Sequence, residues 1–381
     1  MIDFDENLIK IQHITVKGPL PNPFIMDDGT PVKTAEDWAR RRQEMYKTAV
    51  ELQYGTMPPA PEFLEVELLD DAALIHNYRI TTGRLDHPVS FIMRVICPAS
   101  TGKFPAIVDG DLCWRYAFDK EYLQTVTGNG IAFVLFNRLE LVPDRNVDRS
   151  QGPLYRCYPE YTFSALGAWA WGYARCVDAL EKLGYIDMDN IAFSGHSRGG
   201  KTALLAGVLD QRAAIVNTNE SGAGGAGCYR VDTEAVDEAG NLCPSEKLAD
   251  LLKNFPHWFN PDMAPYVGRE EHLPFDEHFL KALVAPRILL ETDAASDIWA
   301  NPVGSWQTSM AAKEVFRFLG KEENIIHTFR PGFHEHQPRD LQTLVNVMKA
   351  KMAGEPLCED AFRLPFPTPE ELIFDWRCPE L

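Results

Sequence analysis

Six short apolar runs, each closed by small or polar residues, constrain this chain more than anything else in it. They are FPAIVDGD (104–111), GIAFVLFNR (130–138), IAFSG (191–195), AAIVNT (213–218), PRILLET (286–292) and NIIHTF (324–329). A strand that is apolar on successive residues has no solvent face and must be covered on both sides. Helical stretches lie between several of the runs. One of them, FSALGAWAWGYARCVDALEKLG (163–184), is apolar enough to require burial against a sheet. Strands alternating with helices join through crossovers into a largely parallel sheet. The predicted class is therefore α/β, a three-layer sandwich around a mostly parallel central sheet.

The flanks read differently. Residues 63–98 alternate apolar and polar (FLEVELL, then VSFIMRVI), which predicts antiparallel strands at a sheet edge. Residues 34–53 predict a helix with Thr34 as N-cap and Asp37 three residues on, and YGTMPPAPE (54–62) ends it in a Pro-rich turn. Residues 228–285 read as an insertion that roofs an active site, with VDEAGNLCPSE as a loop and NFPHWFNPDMAPY as a Pro-broken aromatic segment. A last helix, 340–352, precedes a Pro-rich tail.

At 381 residues, 45% hydrophobic and 24% charged, the chain suits one domain, 1–381. A net charge of −18 without any Lys/Arg tract argues against a nucleic-acid partner. No apolar run approaches membrane-spanning length, so no membrane partner is expected, and the chain is expected to be a monomer. The start, MIDFDENLIKIQH, lacks the basic-then-apolar pattern of a secretory signal. The expectation is a cytoplasmic protein, or a secreted one if a leader has been removed. The eight cysteines are scattered without a C-x-x-C pair, which excludes zinc-ribbon spacing and gives no legible disulfide framework.

The chemistry centres on AFSGHSRGGK (192–201), which contains G-x-S-x-G between a strand run and the helix former run KTALLAGVL. That context predicts Ser197 on a tight strand-to-helix turn, with Gly195 and Gly199 removing side chains that would collide across it. A plain capping serine on a Gly-rich turn is the bland alternative. A serine hydroxyl needs a positioned base. In α/β-hydrolase order the acid and histidine follow the serine, and TFRPGFHEHQP (328–338) supplies His334 and His336, with His334 favoured. For the acid, TDAASDIWANP offers Asp293 and Asp297, while NESGAGGAG (219–227) places Glu220 at a strand end, and spacing alone does not choose between them. Arg198 beside the nucleophile suits a charge-assisted donor to an oxyanion, since a cation in the first helical turn opposes the helix dipole. Lys201, one turn on, either reaches substrate hydroxyls or pairs internally with Glu220.

These residues resemble the glucuronoyl esterases, a family that cleaves esters between 4-O-methyl-glucuronic acid of xylan and lignin alcohols. The family motif G-C-S-R-x-G-K is matched by Gly195 to Lys201 except at His196, where fungal members carry a disulfide-forming cysteine. E-S-G-A-G-G stands intact at 220–225. FPHWF (255–259), LPFDEH (273–278), LVAPR (283–287), SDIWANP (296–302) and RPGFH (330–334) resemble further family segments, so the likeness spans roughly 34–350. The resemblance implies an α/β-hydrolase fold with Ser197 as nucleophile, His334 as base, Glu220 as acid and Arg198 as oxyanion donor. It implies Lys201, Trp299 and Trp258 as sugar contacts, Asp297 as a second carboxylate, and neither metal nor organic cofactor. The expected activity is hydrolysis of glucuronate esters. A deacetylase of xylan, or another small-ester hydrolase, is the nearest alternative, and a non-catalytic carbohydrate-binding relative is a third.

Overall fold

The apolar runs become strands of one nine-stranded sheet. The computed structural model describes residues 9–237, 239–365 and 372–380. The strands in chain order are β1 (Lys10–Val16), β2 (Phe63–Ala72), β3 (Ile75–Gly83), β4 (Pro88–Ile96), β5 (Phe104–Asp109) and β6 (Ala132–Phe136). They continue as β7 (Ile186–Ser194), β8 (Ile215–Asn219), β9 (Val231–Val236), β10 (Leu242–Pro244), β11 (Ile288–Ala294) and β12 (Ile325–Arg330). The large sheet runs β12-β11-β8-β7-β5-β6-β4-β3-β2. From β6 to β12 neighbours are parallel, whereas β2, β3 and β4 are antiparallel, with β4 antiparallel to β6.

Alternate residues of the central strands enter two separate cores. Ile107, Phe133, Ala192 and Ile326 face the helices Lys120–Thr127 and Pro338–Ala353, joining Tyr122, Leu341 and Leu344. Val108, Val134, Phe193 and Val216 face the other way, toward Ala165–Leu183 and Arg198–Leu209, with Trp169, Tyr173 and Leu204. This partition is the two-sided burial that continuous apolar runs demand, and it makes the three layers.

Three local outcomes differ from the sequence reading. The helix expected over 34–53 begins as predicted, with a capping box between Thr34 and Asp37, but it is α-helical only over Ala35–Tyr46. A π-helical stretch, Lys47–Glu51, precedes its last turn. The wider π turn rephases the end of the helix. There Tyr54 Oη donates to the Gly224 carbonyl (2.9 Å), and Gln53 Oε1 accepts from Tyr229 Oη (2.7 Å). Within the insertion, the segment read as a loop contains the short strand β10, which pairs with β9, and β9 also pairs with β1, which the sequence reading did not predict. Of the MIDFDENLIKIQH start, residues 1–8 lie outside the described residues, as do 366–371 of the Pro-rich tail. Among the described residues, no helix is long and apolar enough to cross a membrane.

Candidate active site

Ser197 sits between β7 and the helix starting at Arg198, with φ 57° and ψ −121°. A non-glycine residue held there costs about 1–3 kcal/mol, so the surrounding structure must enforce it. It does so by crowding. A Cβ on Gly195 would strike the Gly199 carbonyl, and one on Gly199 would lie 2.6 Å from the Asp111 carboxylate. The Ser197 amide donates to the Asn219 carbonyl at the end of β8 (2.9 Å). The hydroxyl is thus raised at the carboxyl edge of the sheet, beside a cavity of about 270 Å³ lined by Trp114, Tyr116, His196, Arg198, His334 and His336.

The loop after β12 brings His334 Nε2 to 3.0 Å from Ser197 Oγ. Its Nδ1 lies 2.6 Å from Asp297 Oδ2, in the loop after β11, and 3.4 Å from Glu220 Oε2, after β8. A carboxylate beside Nδ1 requires that nitrogen to carry the proton, which leaves the Nε2 lone pair facing the serine. His336 goes elsewhere. It is half-buried, stacked on His196 (5.2 Å, 8°) and edge-on to Tyr116 and Tyr122, with both ring nitrogens shielded from solvent and neither hydrogen-bonded. Burial pushes its pKa down to about 3. Asp293 is also out of reach, paired with buried His327 (2.9 Å).

Glu220 serves more than the histidine. Its Oε2 accepts from the Glu335 amide (2.9 Å), and its Oε1 accepts from the Arg330 guanidinium. Burial, reinforced by Asp297, pushes the Glu220 carboxyl upward against the pull of Arg330. Arg330 was not singled out by its type or spacing, yet it knits the histidine loop. Besides Glu220 it donates to Asp340 (2.9 Å), to the carbonyls of Pro331 and Phe333 (3.2 and 3.3 Å) and to that of Glu335.

Arg198 flanks the serine on the other side. Its Nη1 donates to Asp144 (2.5 Å), and its guanidinium lies over the rings of Trp258, Trp114 and Phe255. Trp258, expected as a sugar contact, is 2% exposed and spends its indole N–H on Asp144 (2.7 Å), so it walls Arg198 instead. Lys201 is buried. Its Nζ donates to the Ser221 carbonyl (2.6 Å), to the Ala223 carbonyl and to Glu246 (3.0 Å), so its acidic partner is Glu246 and not Glu220. Trp299 is 43% exposed, and its carbonyl accepts from the Glu246 amide (3.0 Å). Of the expected set, Ser197, His334, Asp297, Glu220 and Arg198 converge.

Among the described residues, two clusters bring metal-ligating atoms within 4.8 Å of one another: His196 with Glu220 and His334, and Glu291 with Asp293 and His327. Their atoms are already engaged by protein groups. His196 Nδ1 meets Asn219 Oδ1 (2.6 Å), Glu220 meets Arg330, Glu291 meets Lys281 (2.7 Å), and Asp293 meets His327. The eight cysteines are free.

The mostly parallel sheet with helices on both sides, and a strained serine at its carboxyl edge, place the chain in the α/β-hydrolase class. A family model described as "Glucuronyl esterase, fungi" matches residues 80–320. The 4-O-methyl-glucuronoyl methylesterase 1 of Phanerochaete chrysosporium is 31% identical over 322 residues, 83% of this chain and 65% of that protein. Its counterpart in Wolfiporia cocos is 31% identical over 323 residues, 83% of this chain and 76% of that protein. Among solved structures, a carbohydrate esterase family 15 glucuronoyl esterase from Caldicellulosiruptor kristjansonii superposes with TM-score 0.81 at 28% identity, covering 97% of this chain and 98% of that one. A Sporotrichum thermophile glucuronoyl esterase mutant, in complex with methyl 4-O-methyl-β-D-glucopyranuronate, gives 0.75 at 26%, covering 96% of each chain. The chain belongs to the glucuronoyl esterase family, whose members are carboxylic ester hydrolases.

Proposed function

We propose that this chain hydrolyses esters of glucuronic acid and its 4-O-methyl ether, as in lignin–xylan linkages, through a covalent intermediate on Ser197. The observation that carries the reading is the line from Ser197 Oγ through His334 (3.0 Å) to Asp297 (2.6 Å), with the Arg198 cation beside the nucleophile. Ser197 Oγ attacks the ester carbonyl as His334 Nε2 takes its proton. The oxyanion is met by Arg198 and by backbone N–H groups at the start of its helix, which have no intrahelical acceptor. His334 returns the proton to the departing alcohol. Water then attacks the glucuronoyl-serine with the same histidine as base, releasing glucuronate and restoring the hydroxyl. Asp297 holds the imidazole in the required tautomer, and Glu220 backs it as a second carboxylate. Trp299 is exposed, and its carbonyl holds the amide of Glu246, the partner of Lys201, which supports a sugar-contact role for Trp299.

The test is relative turnover of methyl glucuronate and an acetylated xylo-oligosaccharide. Higher kcat/KM on the glucuronate ester supports the reading. Higher kcat/KM on the acetyl ester, with little on glucuronate, favours the deacetylase instead.

A further inference from the structure

Asp144 belongs to none of the motifs above, yet three donors from two distant parts of the chain converge on it. Its Oδ2 accepts from Arg198 Nη1 at 2.5 Å, and its Oδ1 accepts from Trp258 Nε1 at 2.7 Å and His257 Nε2 at 3.0 Å. Burial opposes its ionisation. The hydrogen bonds from His257, Trp258 and Arg198, together with the arginine's charge, outweigh that and hold the carboxyl well below the usual range. Arg198 in turn lies 5.0 Å from the Trp258 ring, 5.4 Å from Trp114 and 5.7 Å from Phe255. With aromatic rings around it and one end tied to a carboxylate, the guanidinium has few directions left for its remaining donors.

The reaction produces negative charge twice at this place, as a transient oxyanion and then as the lasting carboxylate of the acid product. A bare guanidinium would hold both. We propose that Asp144 is a positioning residue that aims Arg198 at the ester oxygen and offsets its charge, so that the arginine meets the oxyanion without retaining glucuronate. The inference rests on the oxyanion role given to Arg198 above.

The experiment is steady-state kinetics on methyl glucuronate, with inhibition by free glucuronate, for wild type, Asp144→Asn, Arg198→Ala and the double variant. Asn keeps the shape and an acceptor for Trp258, a thermal melt verifies folding, and Asp144→Ala serves as a second variant with the same expected direction. Asp144→Asn is expected to lower kcat about tenfold while glucuronate inhibits severalfold more tightly, a split that loss of packing alone does not produce. Arg198→Ala is expected to lower kcat by about 10²-fold and weaken glucuronate inhibition. In that background Asp144→Asn changes neither quantity. If glucuronate inhibition is unchanged or weaker in Asp144→Asn while Arg198→Ala has lost kcat, the Asp144 proposal is overturned and the role of Arg198 stands. If Arg198→Ala keeps its kcat, the oxyanion role fails and this inference falls with it. Tighter inhibition by Asp144→Asn in the Arg198→Ala background also overturns it, because the carboxylate would then act without the arginine.

Discussion

Asp297 Oδ2 lies 2.6 Å from His334 Nδ1, closer than the 3.4 Å of Glu220, the carboxylate that the E-S-G-A-G-G motif singled out. Glu220 is meanwhile committed to Arg330 and the Glu335 amide. Asp297 is therefore expected to dominate imidazole orientation. Asp297→Asn should lower kcat by about 10³–10⁴-fold, as for a wrongly set histidine tautomer. Glu220→Gln should cost about tenfold, the scale of one weakened hydrogen bond. Kinetics of both single variants and the double variant check this; a larger loss in Glu220→Gln would reverse the assignment.

The backbone at Ser197 predicts a trade between activity and stability. Its φ of 57° suits glycine better than any side chain. Ser197→Gly should abolish turnover and raise stability by about 1 kcal/mol. For a domain of this size that is a rise in melting temperature of about 2 °C, which differential scanning calorimetry would resolve.

His336 predicts the acid limb of stability. The unfolded side chain titrates at 6.5, whereas burial holds the folded one to about 3. Between those values the unfolded chain binds a proton that the native one does not. Stability therefore falls as pH drops from 6.5 toward 3, by about 1.4 kcal/mol per pH unit from this group. His336→Phe keeps an aromatic ring against His196 and Tyr116 but cannot titrate. Denaturant unfolding at pH 7.5 and 4.5 should show a smaller loss for the variant, and an equal loss would refute the attribution.

Beneath the site, Lys281 and Glu291 form a fully buried pair (2.7 Å), and Lys281 Nζ also reaches the Ser305 carbonyl and the hydroxyls of Thr308 and Ser309. Lys281→Met leaves an unpaired buried carboxylate and should cost about 3–5 kcal/mol. Adding Glu291→Leu should recover part of that loss. Denaturant titration of the two variants measures the difference.

The parts of the fold legible in the sequence are those whose cause is local. Continuous apolar runs announced β5, β6, β7, β8, β11 and β12 because two-sided burial leaves no polar alternation to confuse them. Thr34 and Asp37 announced a helix start through a cap closed within one turn. β1 could not be read this way. KIQHITV is largely exposed and exists as a strand because it pairs with β9, more than two hundred residues later. The site divides along the same line. Ser197 was legible from its glycines, and the two histidines from their place after the last strand. The choice of His334 over His336 depends on which ring the fold buries against Tyr116 and Tyr122. Trp258 was expected as a sugar contact, but its indole points to Asp144, and neither Asp144 nor Arg330 carries a local signature. Their roles come from donors and acceptors gathered from distant segments.

Acyl transfer through Ser197 is tested by acid-quenching the enzyme during turnover of methyl glucuronate and mapping the adduct by peptide mass spectrometry. A glucuronoyl group is expected on the peptide carrying Ser197, lost together with turnover in Ser197→Ala. An adduct on another residue, or turnover retained by Ser197→Ala, would contradict it.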